Sequence, residues 1–331
     1  MPSLLGHSAI RQEAPLLPLP GNRITNVMGE INSIAVVGSG SVGGYYGAKL
    51  ALKERVSFLM RRDLKAVEER GLIVESPEGD FHLDRVRAFG TAKEIGPVDL
   101  VIIALKTTSN DVIPSIIPPL LKSGTRLLTL QNGLGNEPFL HQHFPDHPVL
   151  GGMCFVCINR GDPGVIRHIA HGRVEMGEFT ENGELSAIAA MFHNAGIDCR
   201  KLSDLNLARW RKLVWNIPFN GLSIAAGNLD TSEILERPAL VDRVRNLMHE
   251  VIDIAAVMGH VIDQEFAEDN IEGTRGMGPY EPSSLIDFKA GNPVEVEAIW
   301  GKPLSEAKRL GVKAPEIEKL HFEICEAIEN R

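Results

Sequence analysis

Cysteine is scarce. Four thiols in 331 residues (Cys154, Cys157, Cys199 and Cys325) do not make a disulfide framework, and they fit a reducing, cytoplasmic compartment. Long apolar runs are missing. Stretches such as Leu100–Leu105 fall far below the ~20 residues that a membrane-spanning helix needs. Basic residues do not dominate either: 34 Lys and Arg face 43 Asp and Glu, a formal net charge of −9. An acidic chain with no basic block repels phosphate backbones, which argues against nucleic acid as the main partner. Any bound anion must therefore be held by a local basic pocket. The composition that remains, 44% hydrophobic and 23% charged, is that of an ordinary globular chain and excludes a mainly disordered or fibrous one. At roughly 150 residues per domain the length corresponds to about two domains. A chain of this size buries enough surface to need no metal or disulfide staple.

Met1–Glu30 contains APLLPLPG, shows no helical period and lacks the basic start and apolar core of a secretory signal. It reads as a poorly ordered extension. From Ile31 onward short apolar runs alternate with helical stretches. Ile31–Val37, Val56–Met60, Val98–Leu105 and Thr125–Leu130 read as buried strands, and Gly43–Lys53 as a helix. Gly71–Leu83 holds the turn SPEGD between extended segments. This alternation indicates a doubly wound parallel sheet. Val149–Gly177 turns to longer extended stretches broken by glycine. After Asp204 the pattern becomes helical, with Leu205–Leu222, Ala239–Met258, Pro293–Leu310 and Pro315–Glu329 as helices. The expected division is an extension over 1–30, a sheet domain over 31–203 and a helical domain over 204–331.

Gly38-Ser39-Gly40-Ser41-Val42-Gly43 is a GxGxxG run placed directly between a strand and a helix. The first glycine makes the tight turn, the second admits a pyrophosphate, and the third lets helix and strand pack closely. The helix N-terminus then offers free N–H groups to the phosphates. The end of the second strand distinguishes the nicotinamide cofactors. It carries Arg61-Arg62-Asp63, where an NAD site usually places an acid on the ribose 2′-hydroxyl. Arg61 can grip a 2′-phosphate, so NADPH is expected. The alternative is a solvated Arg pair with Asp63 on the ribose of NAD. Lys106 and Asn132 each follow a strand, at the carboxyl edge where such sheets bind ligands; loop capping is the plainer reading of each.

Lys212, Asn216 and Asn220 recur every four residues and form a polar stripe on an otherwise apolar helix. Hydride transfer to a ketone creates a developing alkoxide, and an ammonium can both polarise the oxygen and deliver the proton. The competing reading is a surface lysine, with the Asn side chains capping a helix that ends or kinks at Pro218. Other candidates carry less. Cys154 and Cys157 have CxxC spacing but no second ligand pair for a metal, and the β-like context does not suit a redox pair. His168 and His171, three apart in a strand-like segment, should point to opposite faces. The acidic run Glu265–Glu272 reads as a solvated face.

From Ile31 to near its C-terminus the chain resembles the ketopantoate reductase (2-dehydropantoate 2-reductase) family. The resemblance rests on GSGSVGGYYGAKL, FLMRRD, ALKTT, LQNGLGN, RWRKLVWNIPFNGL and PSSLIDFKAGNPVEVEAIWG, in that order. It implies an α/β Rossmann-type domain, then an all-helical domain, with the active site between them. It implies NADPH-dependent reduction of ketopantoate to pantoate, on the way to pantothenate and coenzyme A. The family's catalytic lysine falls on Lys212 and its acidic residue on Glu295, which is expected opposite Lys212. Its substrate-site residues fall on Asn132, Asn216, Asn220 and Ser284, and its cleft lysine on Lys106. SSLID is one residue shorter than the family's usual form, so Ser283 is the alternative to Ser284. Some members of the family act on other 2-oxo acids. A dehydrogenase for β-hydroxy or sugar acids and a non-catalytic NADPH sensor are the competing readings. A homodimer is an open expectation.

Overall fold

Short β-branched and aliphatic runs form the strands of the computed structural model, which describes residues 30–331. The expectation for the extension therefore lies, but for Glu30, outside the described residues. The strands are β1 (Ile34–Val37), β2 (Val56–Leu59), β3 (Leu72–Glu75), β4 (Phe81–Leu83), β5 (Arg87–Phe89), β6 (Leu100–Ile103), β7 (Arg126–Thr129), β8 (Val149–Arg160), β9 (Val165–Glu178) and β10 (Cys199–Lys201). Strands β5, β2, β1, β6, β7 and β8 lie in that order and run parallel, which is the doubly wound arrangement. β1, β6 and β7 are buried along their whole length. They are covered on both faces, which explains their unbroken apolar composition.

The rest of the sheet departs from the all-parallel expectation. β9 returns antiparallel beside β8, β3 and β10 both pair in parallel with β9, and β4 closes an antiparallel hairpin on β3. β3 follows β2 after the single short helix Leu64–Arg70, yet it sits on the far side of the sheet. So short a connection requires the sheet to curl. It curls around the helix Ser41–Ala51, which packs on β1, β2, β3, β8 and β9 and buries Tyr45 and Tyr46 completely. A second apolar layer covers the other face through Val37, Ile103, Ile113 and Leu140.

The strands end at Lys201, and the helix Leu205–Ala225 begins with the Asp204 carboxylate accepting from the Leu207 N–H at 2.8 Å. Pro218 removes one backbone donor, but the helix neither ends nor is capped there; packing carries it on to Ala225. Its buried face (Trp210, Leu213, Ile217, Leu222) meets Val244 and Leu247 of Pro238–Val257 and Ile317 and Leu320 of Pro315–Glu329. The segment expected as one helix over 293–310 is instead irregular at first. It then passes through a π-helical turn, Glu297–Gly301, into Lys302–Leu310. The π turn leaves the Ala298 carbonyl able to accept from the Leu134 N–H at 2.9 Å, which joins this segment to the loop after β7. The acidic run lies on the helix Phe266–Arg275, and PSSLID opens another short helix, Ser283–Lys289. No helix among the described residues is long and apolar enough to cross a membrane.

Candidate active site

The carboxyl edge of the parallel strands faces the helical region across one large cleft of about 3390 Å³. That is several times the ~300–1,000 Å³ of a drug-sized site. The glycine loop forms one wall. Gly38 takes φ +96°, and a Cβ there would lie 2.6 Å from the Ala104 carbonyl carbon. A Cβ on Gly43 would collide with the Gly38 carbonyl, so the helix can seat against the loop only without one. Gly40, by contrast, faces open space. The helix Ser41–Ala51 starts with no capping side chain and no acidic residue in its first turn, which leaves its N-terminal N–H groups to an anion. Ser39 Oγ donates to the Leu59 carbonyl at 3.1 Å and ties the loop to the end of β2.

Beyond that strand end Arg61 and Arg62 are exposed on the cleft. Arg61 has no hydrogen-bond or ion-pair partner among the described residues. Asp63, the alternative ribose ligand, is turned inward, 8% exposed, and bound by Arg160. An open backbone cradle, an uncapped helix end and an unpaired cation fit a dinucleotide.

The opposite wall is the helix Leu205–Ala225, whose Lys212, Asn216 and Asn220 line the cleft on one face. Lys212 Nζ donates to Asn132 Oδ1 at 2.9 Å and to the Cys154 carbonyl at 2.9 Å, and lies 5.2 Å from the centroid of the Phe155 ring. The amine is thus held by the loop after β7 and by β8, far from its own element in sequence. Burial lowers its pKa to about 8. Arg209 contributes to that lowering, against the opposing pull of Cys154, Glu295 and Glu175. Such an ammonium is charged at neutral pH yet gives up its proton readily.

Glu295 is buried on the same cleft, but its direct partners are not Lys212. Its Oε1 accepts from the Thr107 backbone N–H at 2.7 Å and from Thr107 Oγ1 at 2.9 Å, and its Oε2 lies 3.6 Å from Lys106 Nζ. The expectation of Glu295 opposite Lys212 is corrected to that extent: it acts on the lysine through space. Lys106 donates to Asp287 Oδ2 at 2.6 Å. Desolvation pulls the Lys106 pKa down, but the carboxylates of Glu295 and Asp287 outweigh it, and the net direction is up. Asp287 was missed from sequence. Only its position one helical turn after Ser283, with Ile286 and Ala290 on the same face, could have pointed to it.

The Ser283/Ser284 alternative is decided by the same helix. Ser283 is exposed on the cleft, whereas Ser284 is 3% exposed, faces the core and donates its backbone N–H to Asn220 Oδ1 at 3.0 Å. Of the two serines, Ser283 is therefore the one that reaches the cleft, while Ser284, the one first placed on the substrate, lies behind it.

Of the two histidines, His168 is buried and His171 is exposed on the cleft. Register shifts in the β8–β9 pair interrupt simple alternation, and His171 adopts φ +66°. His168 Nε2 bonds to the His171 carbonyl at 2.9 Å, and its Nδ1 to Ser76 Oγ at 2.8 Å. Cys154 contributes its carbonyl to Lys212, while burial pushes its thiol up to about 11.

Comparison with known proteins agrees with this geometry. The family model described as "Ketopantoate reductase PanE/ApbA" matches residues 34–181, and "Ketopantoate reductase PanE/ApbA C terminal" matches residues 204–324. The chain is 39% identical over 298 residues to the 2-dehydropantoate 2-reductase of Nostoc sp., covering 88% of this chain and 93% of that one. The crystal structure of 2-dehydropantoate 2-reductase from Geobacter metallireducens superposes with a TM-score of 0.86 at 44% identity, over 89% of this chain and 99% of the other. That of the Methylococcus capsulatus enzyme gives 0.83 at 33%, over 90% and 97%. These relatives are oxidoreductases by name. With the same two-part layout, the glycine loop and the lysine-bearing helix in place, the chain belongs to the ketopantoate reductase family.

Proposed function

We propose that this chain reduces 2-dehydropantoate to pantoate with NADPH, with residues 31–203 holding the cofactor and residues 204–331 completing the substrate site. The reduced nicotinamide supplies the hydride when bound. Gly38–Gly43 and the helix N-terminus take the pyrophosphate, and Arg61 takes the 2′-phosphate. Lys106 and Asn132 line the cleft between the glycine loop and Lys212.

The observation that carries the reading is the Lys212 amine. It is half-buried, held by two acceptors 2.9 Å away, and its pKa is lowered to about 8. Lys212 polarises the keto oxygen and delivers its proton. Asn216, Asn220 (through the Ser284 N–H) and Ser283 shape the side that takes the small acid. Glu295 holds the Thr107 turn and Lys106 against the helical wall. The test is NADPH oxidation by the purified chain with 2-dehydropantoate and with a panel of other small 2-oxo acids and β-hydroxy acids. The expected result is a kcat/KM for 2-dehydropantoate on the order of tenfold or more above the others. A panel member that surpasses it would overturn the substrate assignment.

A further inference from the structure

Behind the cleft, and outside it, lies a buried ion pair that joins the two walls. Arg209 sits on the catalytic helix one turn before Lys212 and is 3% exposed. Its Nε donates to Glu137 Oε1 at 3.0 Å, and its Nη2 donates to the same oxygen. Its Nη1 donates to the Gln131 carbonyl at 2.9 Å. Glu137, 4% exposed, stands in the first turn of the helix Asn136–His143. One guanidinium therefore grips both ends of the loop that presents Asn132, the residue that accepts from Lys212.

Other contacts hold the loop in the same pose. Asn136 Nδ2 donates to the Asn132 carbonyl at 2.8 Å. The Gln131 side chain is pinned by the Leu105 carbonyl at 3.0 Å and Asn110 Oδ1 at 2.7 Å. β8 is shaped to the pair as well, since a Cβ on Gly151 would collide with Glu137 Oε1. A buried ion pair contributes little net stability compared with well-packed apolar residues, so stability alone does not account for it.

We propose that Arg209 and Glu137 are positioning residues that hold Lys212 against Asn132 and set its readiness to donate a proton. The inference rests on Lys212 being the proton donor. The charged and titratable groups around Lys212 come from every packed element: Arg209 on its own helix, Cys154 on β8, Glu175 on β9, and Glu295 beside the π turn. Of these, only Arg209 disfavours the ammonium; the other three favour it.

Three variants test the inference: Arg209→Met, Glu137→Gln, and the double variant Arg209→Met/Glu137→Met. The double variant replaces the pair with apolar groups of similar length and guards against loss of folding. In the double variant we expect near-wild-type thermal stability, with kcat down about 10- to 100-fold and cofactor affinity unchanged. In the cofactor-free protein, competitive acetylation of the Lys212 amine, read by mass spectrometry, should show its titration shifted upward in both Arg209 variants. Glu137→Gln should lower kcat less, because the shape is kept. A folded double variant with wild-type kcat and an unshifted Lys212 titration would reduce the pair to a structural tie and overturn the proposal. Lys212→Ala is run in parallel. If that variant stays active, the donor assignment itself fails; if it is inactive while the Arg209 variants are normal, only the present inference fails.

Discussion

The two walls of the cleft are built by different means. The wall proposed for the dinucleotide is made of consecutive residues, Gly38–Gly43, and offers mainly backbone atoms and one helix end. The opposite wall is made of side chains from the helix Leu205–Ala225, the loop after β7, β8, the helix Ser283–Lys289 and the segment that precedes the π turn, brought together across nearly two hundred residues of chain. A wall of the first kind binds whatever phosphate fits its curvature. A wall of the second kind depends on a few distances, so single side chains should carry large effects on turnover and small effects on cofactor affinity.

The largest effect tests that contrast directly. Lys212→Ala should lower kcat by on the order of 10²–10⁴-fold, while fluorescence titration shows an NADPH affinity close to wild type. A parallel loss of both would mean that the walls are not separable. Next, Arg61→Ala should lower the ratio of NADPH to NADH affinity by about tenfold, as expected for loss of a charge-assisted contact to the 2′-phosphate, with kcat for bound cofactor little changed. A variant that keeps its NADPH preference would remove Arg61 from the site. On the substrate side, Ser283→Ala should raise the KM for the oxo acid several-fold, and Ser284→Ala should leave it near wild type. The reverse order would restore the assignment made from sequence.

The smallest effect concerns stability. The native Lys212 holds its proton less tightly than an exposed lysine, about 8 against 10.5. The folded state is therefore penalised below pH 8, and the penalty fades as pH rises from 8 to 10.5. Lys212→Met should accordingly raise Tm at pH 7 by a modest amount, with the gain shrinking over that window. A gain that grows with pH would contradict the sign. For the same reason kcat of the wild-type chain in the reductive direction should fall above about pH 8.

Much of the fold was legible because it is local. β1, β2, β6 and β7, the glycine-loop helix and Pro315–Glu329 follow from periodicity and breakers alone. The curl of the sheet was not, because it comes from where β3 and β9 find partners and not from any property of their own residues. The site divides in the same way. Arg61 could be placed at a strand end, and the Lys212 stripe on one helix face. Glu295 could not be assigned its partners, Ser283 could not be preferred over Ser284, and Asp287 and Arg209 gave no local signal. The register shifts between β8 and β9 escaped a period-two reading for a related reason: register is a property of two strands.

Composition and short-range pattern were enough for the class of fold, the glycine turn between β1 and its helix and the identity of the helix that carries the amine, since each depends on neighbours within a turn or two of chain. Which groups that amine meets, which serine faces the cleft and which charges bias the proton were decided only on folding. Those contacts join segments far apart in the chain, and a hydrogen bond of 2.9 Å between such segments has no signature in either one alone.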